Sequence, residues 1–256
     1  MSLVDVEMRE KSVAVVSLGR PEALCVLDDR HIIDLLAALE RVGRDTDARA
    51  VVLTGRGRAF CAGGDLRWMA GYRGPDSGEP MRQLTKPFHA AMVELRRMPK
   101  PVVAAVNGVA AGGGLSLALG ADLRVAARTA FFRVAYLTAG LTPDGGLTWL
   151  LPRVVGRQQA MRMILRNDDV SAEAALACGL VDEVVDDDRV LDEALALAVR
   201  LADWPGDVAG ASRRLLDVSE TSTFEAHLEE ERAAITAMGR TAAHREALGR
   251  FLGLRS

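Results

Sequence analysis

Short β-branched runs that alternate with helical periodicity constrain this chain more than any other feature. Val13 to Leu18, Ala50 to Thr54, Val102 to Val106 and Leu123 to Ala126 are continuous apolar or small-residue runs, each bounded by Gly, Pro or charged residues. Continuous runs of this kind suit strands buried on both faces, as in largely parallel sheets. Between them, Ile32, Leu35, Leu36 and Leu39 recur at helical spacing from a candidate N-cap, Asp28, to Gly43, and a second amphipathic segment spans Met81 to Met98. Ahead of these, Val4, Val6 and Met8 alternate with polar residues, so the chain should open with a hairpin. The pattern predicts a stacked α/β core.

Beyond Pro152 the pattern becomes helical: Gly156 to Leu165, Ser171 to Cys178, Asp188 to Trp204 and Phe224 to Gly239, with one short strand near Val184. Leu191, Leu195, Val199 and Leu201 read as a packing stripe, and the Arg213-Arg214 pair reads as a solvated face. No internal sequence repeat is detected.

With 256 residues and 49% hydrophobic content, the chain can bury a sizeable core as one globular unit. Thirty-two Lys and Arg against 35 Asp and Glu leave no basic excess for tracking phosphates, so nucleic acid is not an expected partner. No run approaches the roughly 18 apolar residues of a membrane span, and Asp5, Glu7 and Glu10 interrupt the start, so a soluble cytoplasmic protein is expected. Cys25, Cys61 and Cys178 are odd in number and widely spaced, and the four histidines show no paired spacing. Reduced packing cysteines and no metal site follow.

Two glycine-rich corners follow strands: Phe60-Cys61-Ala62-Gly63-Gly64-Asp65 and Ala110-Ala111-Gly112-Gly113-Gly114. Glycines that open a helix leave backbone N–H groups unpaired and uncrowded, so a developing negative charge can approach them. Two such corners can together form an oxyanion hole. A dinucleotide fingerprint fails because position 117 is Leu, and a P-loop fails because no Gly-Lys-Ser/Thr follows. A nucleophile elbow at Ser116 is incomplete, since Gly114-Leu115-Ser116-Leu117-Ala118 ends on Ala.

From about Val13 to Leu252 the sequence resembles the crotonase family, also called the enoyl-CoA hydratase/isomerase family. The likeness rests on Arg20-Pro21-Glu22-Ala23, on Ala59 to Leu66, on Pro99-Lys100-Pro101-Val102 through Asn107-Gly108, on Gly112-Gly113-Gly114, on Gly140 to Gly146, and on Leu151-Pro152. The resemblance implies a repeated ββα spiral core over about residues 1–195 and a C-terminal helical trimerisation region over about 196–256. It implies a homotrimer or dimer of trimers acting on an acyl-CoA, with coenzyme A lying along Ala62, Gly64, Asp65, Leu66 and Arg67. The N–H groups of Gly64 and Gly113 would hold the thioester oxygen. No resident cofactor is expected, coenzyme A arriving as part of the substrate, and neither nucleic acid nor membrane is an expected partner.

Hydratases of this family use two glutamates to position water, and the corresponding positions here look like Ser116 and Tyr136. A serine is no efficient base near neutral pH, and the tyrosine would stay protonated. The remaining candidate is Asp144, in Thr142-Pro143-Asp144-Gly145-Gly146, where the chain is similar to ring-opening isomerases of the phenylacetyl-CoA pathway and to Δ3,Δ2-enoyl-CoA isomerases. Taken alone, Pro143-Asp144-Gly145 reads as a turn or an N-cap; the family context favours an acid/base role. One carboxylate suffices for a 1,3-proton transfer. His89 matches in spacing the base histidine of the family's 4-chlorobenzoyl-CoA dehalogenases, whose nucleophilic aspartate corresponds to Asp144, so that chemistry is the alternative to isomerisation, beside loose hydration or non-catalytic acyl-CoA binding. Tyr136 suits a pocket wall for an aryl or alkenyl group, and Trp68 to Pro80 reads as a loop over that pocket. The family often has Asn where Cys25 stands, and a Lys near its C-terminal Phe; here Arg255 is the cation nearest Phe251.

Overall fold

The computed structural model describes residues 2–253, so the expectation for Arg255 lies outside the described residues. The strands, in chain order, are β1 (Val4–Arg9), β2 (Val13–Leu18), β3 (Ala50–Gly55), β4 (Ala59–Cys61), β5 (Val102–Val106), β6 (Val109–Ala111), β7 (Leu123–Ala127), β8 (Phe131–Arg133), β9 (Val170–Ser171) and β10 (Glu183–Val185). The helices are α1 (Asp29–Arg44), α2 (Leu66–Ala70), α3 (Glu79–Arg97), α4 (Gly113–Gly120), α5 (Leu147–Val155), α6 (Arg157–Arg166), α7 (Ala172–Ala177), α8 (Val190–Ala202), α9 (Val208–Ser219), α10 (Phe224–Gly239) and α11 (Ala242–Phe251).

One sheet has the order β1-β2-β3-β5-β7-β10 and the other β4-β6-β8-β9. The predicted hairpin is present, with Val6 opposite Val16 in antiparallel register. From β2 onward the larger sheet is parallel, and in the smaller one only β8 and β9 run antiparallel. Consecutive strands β3 and β4, β5 and β6, β7 and β8 each send one member to either sheet, and a helical segment then leads to the next pair. A ββα unit therefore repeats in space although no repeat is visible in sequence. Every residue of β3 and β5 is buried, because α8 packs on these strands from one side and β4 from the other. That double cover is why these strands are uniformly apolar rather than alternating.

Local signals fix the helix ends. Asp28 Oδ1 accepts from His31 N at 2.8 Å and starts α1. At its other end, Lys100 Nζ donates to the carbonyls of Val42 at 2.5 Å and Gly43 at 3.1 Å, satisfying groups the helix leaves unpaired. Asn107 does more than turn the chain. Its Oδ1 accepts from Gly55 N at 3.2 Å, and its Nδ2 donates to Gly57 O at 2.8 Å and Ala59 O at 3.2 Å, tying the ends of β5 and β3 together.

Several expectations need correction. The stretch Trp68 to Pro80 is not one loop: its two ends belong to α2 and α3, and only 71–78 connects them. Of the Arg213-Arg214 pair, Arg214 is exposed as expected, but Arg213 is not. Arg213 lies buried on α9, with its Nη1 on Asp122 Oδ1 at 2.7 Å and Oδ2 at 2.8 Å and its Nη2 on the Met98 carbonyl. Arg96 Nη2 similarly reaches Asp217 at 2.8 Å, so two arginines fasten α9 to the core. Asp122 is itself fixed, its Oδ2 accepting from Val102 N at 2.8 Å. Arg213→Ala should strand a half-buried carboxylate and cost about 2 kcal/mol, below the usual range for a broken buried pair because Asp122 keeps some water. A fall in Tm of about 4–8 °C by calorimetry is the expected result.

The three cysteines are free, Cys25 and Cys61 fully buried and Cys178 half-buried. Burial pushes the Cys61 thiol up to about 12 and raises Cys25 as well. Iodoacetamide should therefore label native protein at Cys178 alone, with Cys25 and Cys61 appearing by mass spectrometry only after unfolding. Cys25 sits at φ +54, in the left-handed region. Asn tolerates that region better than most residues, so Cys25→Asn is compatible with the backbone here.

Candidate active site

The smaller sheet makes the site. β4 and β6 are parallel neighbours, with Ala59 opposite Val109 and Cys61 opposite Ala110, so the two glycine corners that follow them emerge side by side. Their approach leaves no room for side chains. A Cβ on Gly63 would stand 2.7 Å from Ala111 O and 3.1 Å from Gly113 N, and one on Gly114 would stand 1.9 Å from Cys61 O. Gly63 also has φ +92 and Gly112 φ +54, conformations that favour glycine.

The first corner is held from three sides. Leu27 N donates to Gly63 O at 2.8 Å, Asp65 N donates to Leu27 O at 2.9 Å, and Ala62 N donates to Leu24 O at 3.0 Å. Neither Gly64 N nor Gly113 N finds an acceptor among the described residues. Gly113 begins α4, an apolar helix whose every residue is buried. Its first N–H groups are orphans by geometry, and the positive end of the helix dipole lies at the same point. The two N–H groups are thus available to an oxyanion.

A cavity of about 240 Å³ adjoins these groups. Ala62, Gly64, Leu66, Gly113, Tyr136 and Asp144 all contribute to its wall. Asp65, Arg67 and His89 do not. Asp65 is occupied in shaping the corner: Oδ1 caps α2 by accepting from Arg67 N at 3.0 Å and Trp68 N at 3.1 Å, while Oδ2 meets Arg20 Nη2 at 3.2 Å. Arg20 also pairs with Asp28 at 2.7 Å, linking the starts of α1 and α2. Arg67 is exposed on α2.

Asp144 is the only acidic residue on the cavity wall among the described residues. Its carboxylate does not cap α5, whose N-cap is Gly146. Instead Oδ1 lies 2.6 Å from His89 Nε2, with side-chain exposures of 28% for Asp144 and 55% for His89, so the histidine reaches the site through the aspartate from the solvent side. The structure thereby joins two residues that sequence spacing alone could not bring together. Ser116, fully buried on α4, donates to the Asp144 carbonyl at 2.8 Å. Tyr136 donates to the same carbonyl at 3.3 Å. Burial pushes the Tyr136 phenol up to about 12, so it stays a neutral donor near pH 7.

Sequence reasoning missed most of the apolar wall. Met81, Leu84, Thr85 and Phe88 face the cavity from α3, and Leu27, Ile32 and Met69 complete it. The four α3 positions follow i, i+3, i+4, i+7, a signal that was present but is the same one a core-facing stripe gives.

The family model described as enoyl-CoA hydratase/isomerase matches residues 8–256. The 1,2-epoxyphenylacetyl-CoA isomerase of Escherichia coli K12 is 42% identical over 251 residues, covering 96% of this chain and 94% of its own. A Mycobacterium tuberculosis H37Rv protein named "Probable enoyl-CoA hydratase EchA12" is 39% identical, with 90% of this chain and 83% of that one covered. Among solved structures, an enoyl-CoA hydratase from Polaromonas sp. JS666 superposes with a TM-score of 0.91 at 32% identity, over 98% of this chain and 97% of that one.

Proposed function

Since the chain belongs to the enoyl-CoA hydratase/isomerase family and has its crotonase fold, we propose that this enzyme moves a double bond within an enoyl-CoA by 1,3-proton transfer through Asp144. The observation that carries this reading is a cavity whose wall includes one acidic residue and two residues with unpaired N–H groups. Hydration in this family calls on two glutamates, and their positions hold Ser116 and Tyr136, both engaged with the Asp144 carbonyl. The 42% identity to a protein named as an isomerase supports the same direction.

In this scheme the thioester oxygen of a 3-enoyl-CoA rests on Gly64 N–H and Gly113 N–H. Asp144 takes a proton from C2, and the C–H electron pair forms C1=C2 while the carbonyl pair moves onto that oxygen, giving a dienolate conjugated with the intact C3=C4. The same carboxyl group returns the proton to C4, leaving a C2=C3 double bond. Each oxyanion donor is worth about 2.7–4 kcal/mol of barrier. Coenzyme A would run along Ala62 to Arg67, and the proposed compartment is the cytoplasm, where coenzyme A thioesters are made and used. No described helix is long and apolar enough to cross a membrane.

Incubation with cis-3-enoyl-CoA and trans-2-enoyl-CoA in D₂O tests the reading. Double-bond migration with deuterium at C2 or C4 is expected; water addition without migration would overturn it. The 2.6 Å contact between His89 and Asp144 favours one second reading. In it Asp144 adds to the ring of a haloaryl-CoA, halide leaves, and His89 activates water to hydrolyse the resulting ester. Chloride release from 4-chlorobenzoyl-CoA would select that reading.

The proposed assembly is a homotrimer or dimer of trimers. Phe224, Leu228, Ile235, Leu248 and Phe251 stand exposed on α10 and α11, more apolar surface than an isolated tail should show water. Light scattering should give a mass of three or six copies, and Phe224→Glu with Ile235→Glu should lower it.

A further inference from the structure

Three separate segments converge on Asp144. His89 of α3 meets its carboxylate, while Ser116 of α4 and Tyr136, which follows β8, both donate to its main-chain carbonyl, as does Leu147 N at 3.2 Å. We infer that Ser116 and Tyr136 are positioning residues: their hydroxyls pin the carbonyl of Asp144 and thereby aim its carboxylate at the acyl group. The inference rests on the reading of Asp144 as the proton carrier.

Ser116 lies fully buried in a helix otherwise made of Gly, Ala and Leu, where a hydroxyl without a partner would be costly. Its partner is a carbonyl 28 residues away rather than only its own helix. Tyr136 is also largely buried, with its ring in the cavity wall and its hydroxyl turned to the same oxygen. The loop has little freedom besides. Gly145 has φ +62, and a Cβ there would meet Phe88 Cε1 at 2.3 Å and Ser116 Cβ at 3.0 Å. The main chain of the loop is therefore pressed onto α3 and α4, and the two hydroxyls fix its direction. The carbonyl of Asp144 thus lies between two hydroxyls. One carboxylate serving two carbons needs such control, because a displacement of about 1 Å can cost about 10²-fold in rate.

The test uses the full-length enzyme with 3-enoyl-CoA in D₂O and variants Ser116→Ala, Tyr136→Phe and the double variant. Each single variant should lower kcat about tenfold with KM within about twofold, and the double should fall by less than the product of the two, since both act on one carbonyl. The ratio of deuterium at C2 to deuterium at C4 should also change, a partition that loss of stability alone would not move. A second readout is independent of turnover: the ¹⁵N resonance of His89 Nε2 in ligand-free protein should shift in the variants as the Asp144 carboxylate moves. Wild-type kcat, partition and His89 resonance in both single variants would overturn the inference. If wild type fails to move a double bond, the isomerase reading falls, and the His89 resonance then decides positioning by itself: shifted supports it, unshifted overturns it. Tyr136→Phe removes one oxygen and keeps the ring, so it carries the test if Ser116→Ala does not fold.

Discussion

Asp144→Asn should abolish proton transfer while leaving the fold and acyl-CoA binding intact, with kcat falling by about 10³-fold, within the usual span for loss of a general acid–base. That corresponds to about 4 kcal/mol of barrier. The substitution is nearly isosteric, and the contacts that set the loop belong to the main chain: Ser116, Tyr136 and Leu147 N all bond the carbonyl of residue 144, which the change does not touch. His89 Nε2 can still donate to the remaining oxygen. What disappears is a basic site facing the cavity, where no second carboxylate is present among the described residues. Deuterium exchange at C2 and C4 measures the loss, and calorimetric titration with a saturated acyl-CoA measures the binding. Exchange within about tenfold of wild type would assign the proton transfer to another group.

Gly114→Ala should be among the most damaging single-methyl additions in the molecule's centre. Its Cβ would fall 1.9 Å from Cys61 O, 2.7 Å from Cys61 C and 2.8 Å from Cys61 Cβ. Two of those atoms are backbone of β4, so no rotamer change relieves the overlap. Either α4 or β4 must move, and their contact sets the spacing of the Gly64 and Gly113 N–H groups. A loss of more than about 3 kcal/mol is expected, at the upper end for overpacking, with Tm lower by about 10 °C or insoluble expression. Gly113→Ala is the control one residue away. Its Cβ would meet Phe88 Cζ at 3.4 Å and Leu27 Cδ1 at 3.8 Å, which is ordinary contact. It should fold with a Tm close to wild type while narrowing the cavity. A normal Tm for Gly114→Ala would mean that the two corners are looser than their geometry.

The parts of the fold legible in sequence are those with enough length to show a period. Val13 to Leu18 and Val102 to Val106 announce buried strands, Asp28 announces the start of α1, and Phe224 to Gly239 marks α10 to the residue. β4, β6 and β8 are three residues each, shorter than any alternation can register, and the first two lie inside glycine-rich stretches that read as loops. Arg213 looked like surface because a charged pair in a helix usually is; its burial depends on Asp122, 91 residues earlier, and on the Met98 carbonyl. The candidate site shows the same division. Gly64, Gly113 and Asp144 stand in recognisable motifs. Ser116 and Tyr136 were noticed for what they lack, while the carbonyl they bond could emerge only from the packing of α4 against the loop before α5.

The connection 71–78 contributes no strand to either sheet, yet it joins α2 and α3, which carry Met69 and Met81 in the cavity wall. Doubling the length of such a connection costs only about 0.6 kcal/mol of closure entropy. One residue added within β4 is a different matter, since a register slip of one exchanges the two faces of a strand and would part Gly64 from Gly113. Insertions and deletions can thus resize the cavity at little closure cost, while the spacing of the Gly64 and Gly113 N–H groups tolerates none. A lineage built on this frame is free to change what it accepts much faster than how it holds charge.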